Sequence, residues 1–524
     1  MILHRSSRPS IRRRRSRLCP LAAALLLALG MPAAQAATIT VDTDADGSVA
    51  DHCTLRDAVA AANTDLAVAG CTAGSGADAI HFVPDGASIT LAAASGGSLL
   101  VSSELSLDGQ GRPVTVRRDP ADTTFRIVET HDTGPLVLRW MRITGGRLDE
   151  QDMYRGGAGV LSRADLTLES SEVSSNVTNK LWGRGAGVLA HAGLTLVDSV
   201  VSGNASTGSE SSGGGLYSYY QPVSLMRSVV SGNATLGTAS PGGGIGTRPG
   251  VDVVATASTI ADNWTGGAGS FGGAVHAPIA TLTLVDSTVS GNSTEGDNAW
   301  AGGVYAYTVH ASASTVSGNW TVGYASYGGG LVTVAADISN STVSGNSTAG
   351  VGALGGGLVV VSASSLRNST IFGNRAEQAT GGGIAVWGSD PATVVTLDSS
   401  LVAGNEAQAD ADVAFFNVTG EGGEIGIAGG HNLIGAPSAS AVFPADTLSC
   451  DPRLQPLAAN GGRTMTHRLG DGSCAIDAGA NPDALASDQR GADYARTSGA
   501  ATDIGAVERQ PADEKIFADG FDLP

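Results

Sequence analysis

"DSTVSGNST", residues 286–294, is the stretch whose reading decides the fold. Its core, Ser-x-Val-x-Gly-Asn, returns along the chain. Aligned on the Asn, nine copies appear: Asn176, Asn204, Asn233, Asn263, Asn292, Asn319, Asn346, Asn374 and Asn405. The intervals are 28, 29, 30, 29, 27, 27, 28 and 31 residues. Five positions before the Asn stands Ser in all nine copies, and three before stands Val or Ile. Residues two apart lie on one side of a strand. Ser and Val therefore face the same way, into an interior too narrow for large side chains. Gly precedes the Asn in seven copies, and Gly-Asn turns the chain because both residues tolerate unusual φ/ψ.

A second marker follows each Asn by about ten residues: "GRGAGV" (183–188), "GGGL" (213–216), "FGGAV" (271–275) and their equivalents. A Gly run before an apolar residue reads as a tight bend into another strand. One period thus holds about three short strands. Helical solenoids need 3.6-residue apolar stripes, and a propeller blade runs to roughly 40 residues. A parallel β-helix fits, with one coil per period and coils stacked ~4.8 Å apart. The Ser column is then expected to form a ladder of hydroxyls bonded to one another, and the Asn column a ladder of side-chain amides. The β-rich stretch from about 80 to 150 supplies the first coils, so about twelve coils are expected.

Composition agrees. Gly is 74 of 524 residues and charged residues are 15%, a mix that suits short strands and tight turns rather than helices. Residues 1–36 read as a signal peptide. Seven arginines from Arg5 to Arg17 precede the apolar "LAAALLLALG" (21–30) and then "AQA" (34–36), which is the order of an export leader with cleavage after Ala36. Without the leader, 30 basic residues become 23 against 49 acidic ones, and the formal net charge moves from −19 to −26. So acidic a surface repels nucleic acid and anionic lipid. After the leader no apolar run is long enough for a transmembrane helix. Four cysteines remain in the exported chain, Cys53, Cys71, Cys450 and Cys474. An even number in an exported chain suggests disulfides, and of the three pairings Cys53–Cys71 and Cys450–Cys474 are the local ones.

"STIFGNRAEQATGGGI" (369–384) resembles the repeats of polymorphic outer-membrane proteins and related pectin-lyase-like right-handed β-helices. "CTLRDAVAAAN" (53–63) resembles the CSLREA motif found after the leader of such proteins. "NLIG" (432–435), "DPRLQPLAANGGRTMTHRL" (451–469), "CAIDAGANP" (474–482), "DQRG" (488–491) and "DIGAVE" (503–508) resemble the choice-of-anchor Q region. The resemblance implies an all-β, right-handed parallel β-helix with an N-terminal capping helix. It divides the chain into a leader (1–36), an N-terminal cap (37–79), repeats (80–410), an anchor-like region (411–510) and a tail (511–524). The tail's "EKIFADGFD" (514–522) resembles a terminal sorting motif of some exported bacterial proteins. The implied place is extracellular or at a bacterial outer membrane. In "TLRDAVAAANTD", Thr54 can N-cap a short helix whose Leu55, Ala58, Val59 and Ala62 share a face. Laid across the open end of the first coil, that helix covers unpaired backbone. The C-terminal region is expected to cover the other end.

Candidate chemistry is sparse. Right-handed β-helices include polysaccharide lyases and hydrolases, which need acids, a base and often Ca²⁺ on one face. No such constellation stands out, and no catalytic residue is assigned. "DTDADG" (42–47) resembles the start of an EF-hand loop, with Asp42, Asp44 and Asp46 at the right offsets, but position twelve is Cys53. Ca²⁺ is thus a candidate ligand of these three residues, and no other cofactor is implied. An aromatic set, Trp264, Trp300, Tyr305, Tyr307, Trp320, Tyr324 and Tyr327, falls in three consecutive coils. Stacking would gather these rings into one patch able to hold sugar rings or a protein partner. The sequence thus reads as a surface protein with a structural or adhesive role. The alternative is a polysaccharide lyase or hydrolase with an unrecognised site.

Overall fold

The computed structural model describes residues 36–83, 86–131, 134–149, 156–388, 395–417, 426–438 and 442–511. The leader up to Gln35 and the tail from Ala512 lie outside the described residues. The described residues form one compact unit.

Residues 188–206 show how a coil is made. Val188–Ala190, Leu194–Val197, Val200–Ser202 and Ala205–Ser206 are short strands in succession. Each pairs in parallel with its equivalent one repeat later: Val188 with Leu216, Leu194 with Val223, Val200 with Val229, and Ala205 with Ala234. Repetition yields sheets of 23, 10 and 13 strands. The largest takes two strands from most coils, which meet at a corner. The result is a right-handed parallel β-helix of about 11 turns. Parallel pairing continues through Leu433–Ile434, so the stack runs on past residue 410. The repeat's Val and Ile, from Val173 to Val402, are all buried in one continuous core.

The nine Asn side chains form a directional ladder. Asn263 Nδ2 donates to Asn292 Oδ1 at 3.0 Å, Asn292 to Asn319 at 2.8 Å and Asn319 to Asn346 at 2.8 Å. Each Oδ1 also accepts the backbone N–H of the preceding Asn, as Asn292 Oδ1 does from Asn263 at 2.9 Å. Each Nδ2 donates further to a carbonyl of the preceding coil, as Asn292 does to Ile260. The residue before the Asn has positive φ in all nine copies: seven are Gly, and Ser175 and Asp262 fill the other two. The Ser ladder differs from expectation. Ser228 Oγ accepts the N–H of Ser199 at 3.1 Å and donates to Met226 O at 2.9 Å, and the other copies follow suit. Equivalent atoms of stacked coils lie ~4.8 Å apart, beyond the ~2.8 Å reach of one hydroxyl to another. The hydroxyls therefore tie backbone to backbone across the coils, and only the longer amide reaches its own equivalent in the next coil.

At the N-terminus, strands β1 (Thr38–Val41) and β2 (Asp78–Phe82) pair in parallel. Helix α1 (Leu55–Thr64) is N-capped by Thr54, whose side chain accepts from the N–H of Asp57. Its Leu55, Ala58, Val59 and Ala62 join the solenoid core. Cys53–Cys71 and Cys450–Cys474 are disulfides, each closing a loop whose restriction stabilises the chain by about 3 kcal/mol on the entropy model.

The C-terminal region departs from the expected end cap. Residues 442–511 lie largely along the outer face of the 13-stranded sheet. Thr315 Oγ1 donates to Met465 O, Thr342 Oγ1 to Gln489 Oε1 at 2.6 Å, and Thr370 Oγ1 accepts from the N–H of Ala506. These outward threonines are buried, whereas Thr288, in the same column, is only half-buried. Hydroxyls on the outer face of "STVSGN" give the segment polar partners along the sheet side, which the apolar end of a coil does not. A second small core forms where Leu401 and Leu433 meet Leu469, Ala475 and Ile504.

That region is built around buried charge. Arg490 pairs with Asp488 at 2.7 Å with both side chains fully buried. Arg496 lies 3.6 Å from Glu508 and donates to Asp503 O. Three carboxyls thus face two buried guanidiniums, and one carboxyl can keep its proton. Burial raises Glu508 to about 7, against two backbone N–H bonds that lower it. Burial also raises Asp503 and lowers Arg496.

Two predictions follow from the packing. Asn292→Ala removes the acceptor of two buried donors on Asn263, each costing about 1–3 kcal/mol. A loss of about 3 kcal/mol or more is expected by denaturant titration, far above that for an exposed turn residue. For Glu508, the folded value lies above the usual 4.5, so its contribution is full below pH 4.5 and lost as pH rises through 7. Stability of the C-terminal region should fall across that window. Amide exchange at Ile504 and Ala506 reads this, and Glu508→Gln should flatten the slope.

Candidate binding groove

In most coils a corner separates the two strands of the large sheet. In three consecutive coils that corner is absent, and Val275–Val285, Val304–Ser312 and Leu331–Ser339 each run through as one strand. The first bends at Pro278–Ile279, where the register shifts and Ile279 takes φ 58°. That region is sterically costly for a β-branched residue. Ile279 is 69% exposed and forms the rim of a groove.

The groove has a volume of about 300 Å³. Trp300, Tyr305, Tyr307 and Trp387 make its aromatic walls, and Val332 and Thr333 lie between them. Stacking register explains the assembly: Ala306 pairs with Thr333, so Tyr307 and Trp387 stand in one outward column three coils apart. Around the walls, Trp300 meets Tyr327 at 5.2 Å and Trp387 at 6.2 Å, and Tyr327 meets Trp387 edge-on at 5.3 Å. Trp300 Nε1 donates to Ala325 O, which fixes the indole. Tyr307 is half exposed, so its ring is open to a ligand.

Behind Tyr305 sits His276, its ring stacked on Tyr305 at 5.4 Å and on Phe271 at 6.3 Å. Its Nδ1 is covered and has no hydrogen-bond partner. Burial alone lowers this imidazole to about 4, so it is neutral at physiological pH. Burial raises the Tyr305 hydroxyl. No lining residue carries a charge.

The structure brings together Trp300, Tyr305, Tyr307 and Tyr327 from the sequence-derived set, with Tyr327 packed behind the wall. It separates the others. Trp264 and Trp320 lie in the ten-stranded sheet, stacked through Ser293, and the exposed Tyr324 lies in the turn that follows. Sequence reading missed Trp387, His276, Pro278 and Ile279. The signal for Trp387 was present: in "GGVYAY" (302–307) and "GGIAVW" (382–387), Tyr307 and Trp387 stand at the same offset from the Gly pair.

A second aromatic group lies on the other side of Gly246, which stands between Tyr217 and His276 in one column. There Tyr217, Tyr219 and Tyr220 are joined by Arg184, whose Nη1 donates to the Tyr219 hydroxyl, and by Arg248 over Tyr220 at 5.2 Å.

Two of the three aspartates considered for Ca²⁺ have other partners. Asp42 Oδ1 accepts from Cys53 N, and Asp46 binds Arg56 and the N–H of Ala92. Among the described residues no group of three or more His, Cys, Asp or Glu is placed to hold a metal.

The fold and groove define a class: a right-handed parallel β-helix with an external aromatic groove. No family model matches the chain, and no curated protein matches it. Among solved structures it is similar to the crystal structure of pectate lyase Pel9A, with 14% identity, 90% of this chain and 96% of that chain covered, and a TM-score of 0.33. At that score the likeness carries no argument, and the fold stands on the strand pairing itself.

Tyr305→Ala should uncover His276. Its titration midpoint, followed by NMR, is expected to rise from about 4 towards 6.5.

Proposed function

We propose that the protein is an exported, surface-displayed β-helix with a structural and adhesive role, and that the groove on its side holds a glycan. The observation that supports this is the open aromatic groove, whose lining carries no charge but includes the phenols of Tyr305 and Tyr307. Faces of hexose rings stack on such walls while their hydroxyls meet the phenol oxygens. An uncharged lining favours uncharged sugars over uronates. Stacked coils repeat along the groove, which suits a linear chain of sugars. Two disulfides suggest an oxidising, extracytoplasmic compartment, in keeping with the leader-like sequence of residues 1–36. Cleavage of a glycan would need an acid–base pair beside the bound ring, and no carboxylate lines the groove.

A neutral-glycan panel tests the reading. Trp300→Ala, Tyr307→Ala and Trp387→Ala should each weaken binding about tenfold, near the 1.4 kcal/mol that a stacked ring contributes. Trp264→Ala and Trp320→Ala, in the other sheet, should leave binding unchanged. Equal loss in both sets, or no glycan bound by the folded protein, overturns the glycan reading; in the second case protein partners become the ligand class to screen. Product formation from polysaccharides, with or without Ca²⁺, would make the protein an enzyme.

A further inference from the structure

Asp78 opens β2 directly beneath the capping helix. It is 2% exposed. Its Oδ1 accepts two backbone N–H groups, Ala37 at 3.0 Å and Ser75 at 2.7 Å. Its Oδ2 is buried with no hydrogen-bond partner. No Lys, Arg or His pairs with it among the described residues. The space around Oδ2 is tight: a Cβ added at Gly74 would come within 2.3 Å of it and 2.9 Å of Ala61 O on the helix. A buried carboxylate held by two neutral donors lacks the counter-charge that such burial ordinarily requires.

The donor at 3.0 Å, Ala37, is the first residue after the leader-like sequence. Ala36 is exposed and Ala37 half-buried, and Ala37 O accepts from Ala79 N as β1 begins. We propose that hydrolysis of the Ala36–Ala37 bond creates the missing counter-ion. A signal peptidase adds water across that C–N bond, leaving a carboxylate on Ala36 and an ammonium on Ala37. The neutral amide N–H on Asp78 Oδ1 becomes an ammonium donor at the same place. Charge-assisted hydrogen bonds are shorter and roughly twice as strong as neutral ones. Removal of the leader thereby locks β1, β2 and α1 together at the open end of the β-helix, and the cap reaches full stability only after processing. This inference rests on the export reading above.

Four preparations of the chain test it: one beginning at Ala37, one carrying an extra Gly before Ala37, and each of these with Asp78→Asn. Amides of the cap, such as Ile39 and Ile80, should exchange about tenfold more slowly in the free-amine chain than in the Gly-extended one. Asp78→Asn should abolish that difference. The α-ammonium, ordinarily near 8, should titrate higher, and the extra protection should be lost as pH rises through that raised value. Equal exchange in the two Asp78 chains, or an ordinary amine titration, overturns the proposal without needing the Asn variant to fold. The N-terminus of exported protein, read by mass spectrometry, separates the two ideas. A start other than Ala37 overturns processing-linked locking, while glycan binding by the groove is measured independently of it.

Discussion

Everything in this β-helix depends on the buried Asn ladder. A buried amide in nine of the coils accepts a backbone N–H, donates to the group below it in the stack and donates back to a carbonyl of the coil before. A misplaced coil would strand several buried polar groups at once, at about 1–3 kcal/mol each. The ladder therefore fixes one point of each coil from Asn176 to Asn405 against its neighbours. Variation in coil length, from 27 to 31 residues, has to be taken up elsewhere, in the turn after the Asn and at the corner within the large sheet.

That division of labour locates the groove. Inward positions repeat because the interior allows only small and β-branched side chains. Outward positions are free to differ, and their column order is dictated by the same stacking that holds the core. Where the corner straightens over residues 275–339, the outward face broadens, and rings at one column offset line up along the stack. Ile279 carries a left-handed backbone at the point where the straight strand bends. Gly246 interrupts the column below, because a side chain there would meet Ser212 and Tyr217. The two aromatic groups are thus distinct, one uncharged and one threaded with arginine.

How much of this was legible follows from the same logic. Coil period, inward residues and the Asn column are local and periodic, so the repeat alone reveals them. The helix over Leu55–Thr64 was legible from its cap and apolar face. The grouping of Trp264 and Trp320 with the groove was not sound, because nearness in sequence says nothing about which face of a coil a residue occupies; offset from the Gly pair does. The C-terminal fold-back was hidden for another reason. Its contacts join residues more than 100 positions apart, such as Ser344 with His467 and Thr370 with Ala506, and the threonines that receive it look identical to those left open to water.

The ladder also has a direction, and direction creates a problem at its far end. Every Asn donates its backbone N–H and one Nδ2 proton onward and accepts on Oδ1 from the Asn behind, so the last one must find an acceptor beyond the repeats. Asn405 finds Asp412, which accepts its Nδ2 at 2.9 Å and its backbone N–H at 3.2 Å on Oδ1. The other oxygen of Asp412 accepts from Ala436 at 2.6 Å. Another Asn at 412 would bring an amide group needing an acceptor of its own. A carboxylate only accepts, so it can end the series. Burial raises Asp412, and its hydrogen bonds pull it back down. At the first rung the need is reversed, and Asn176 Oδ1 is filled by the backbone N–H of Gly146 at 2.8 Å. A group that only accepts therefore closes one end of the ladder, and a backbone N–H closes the other.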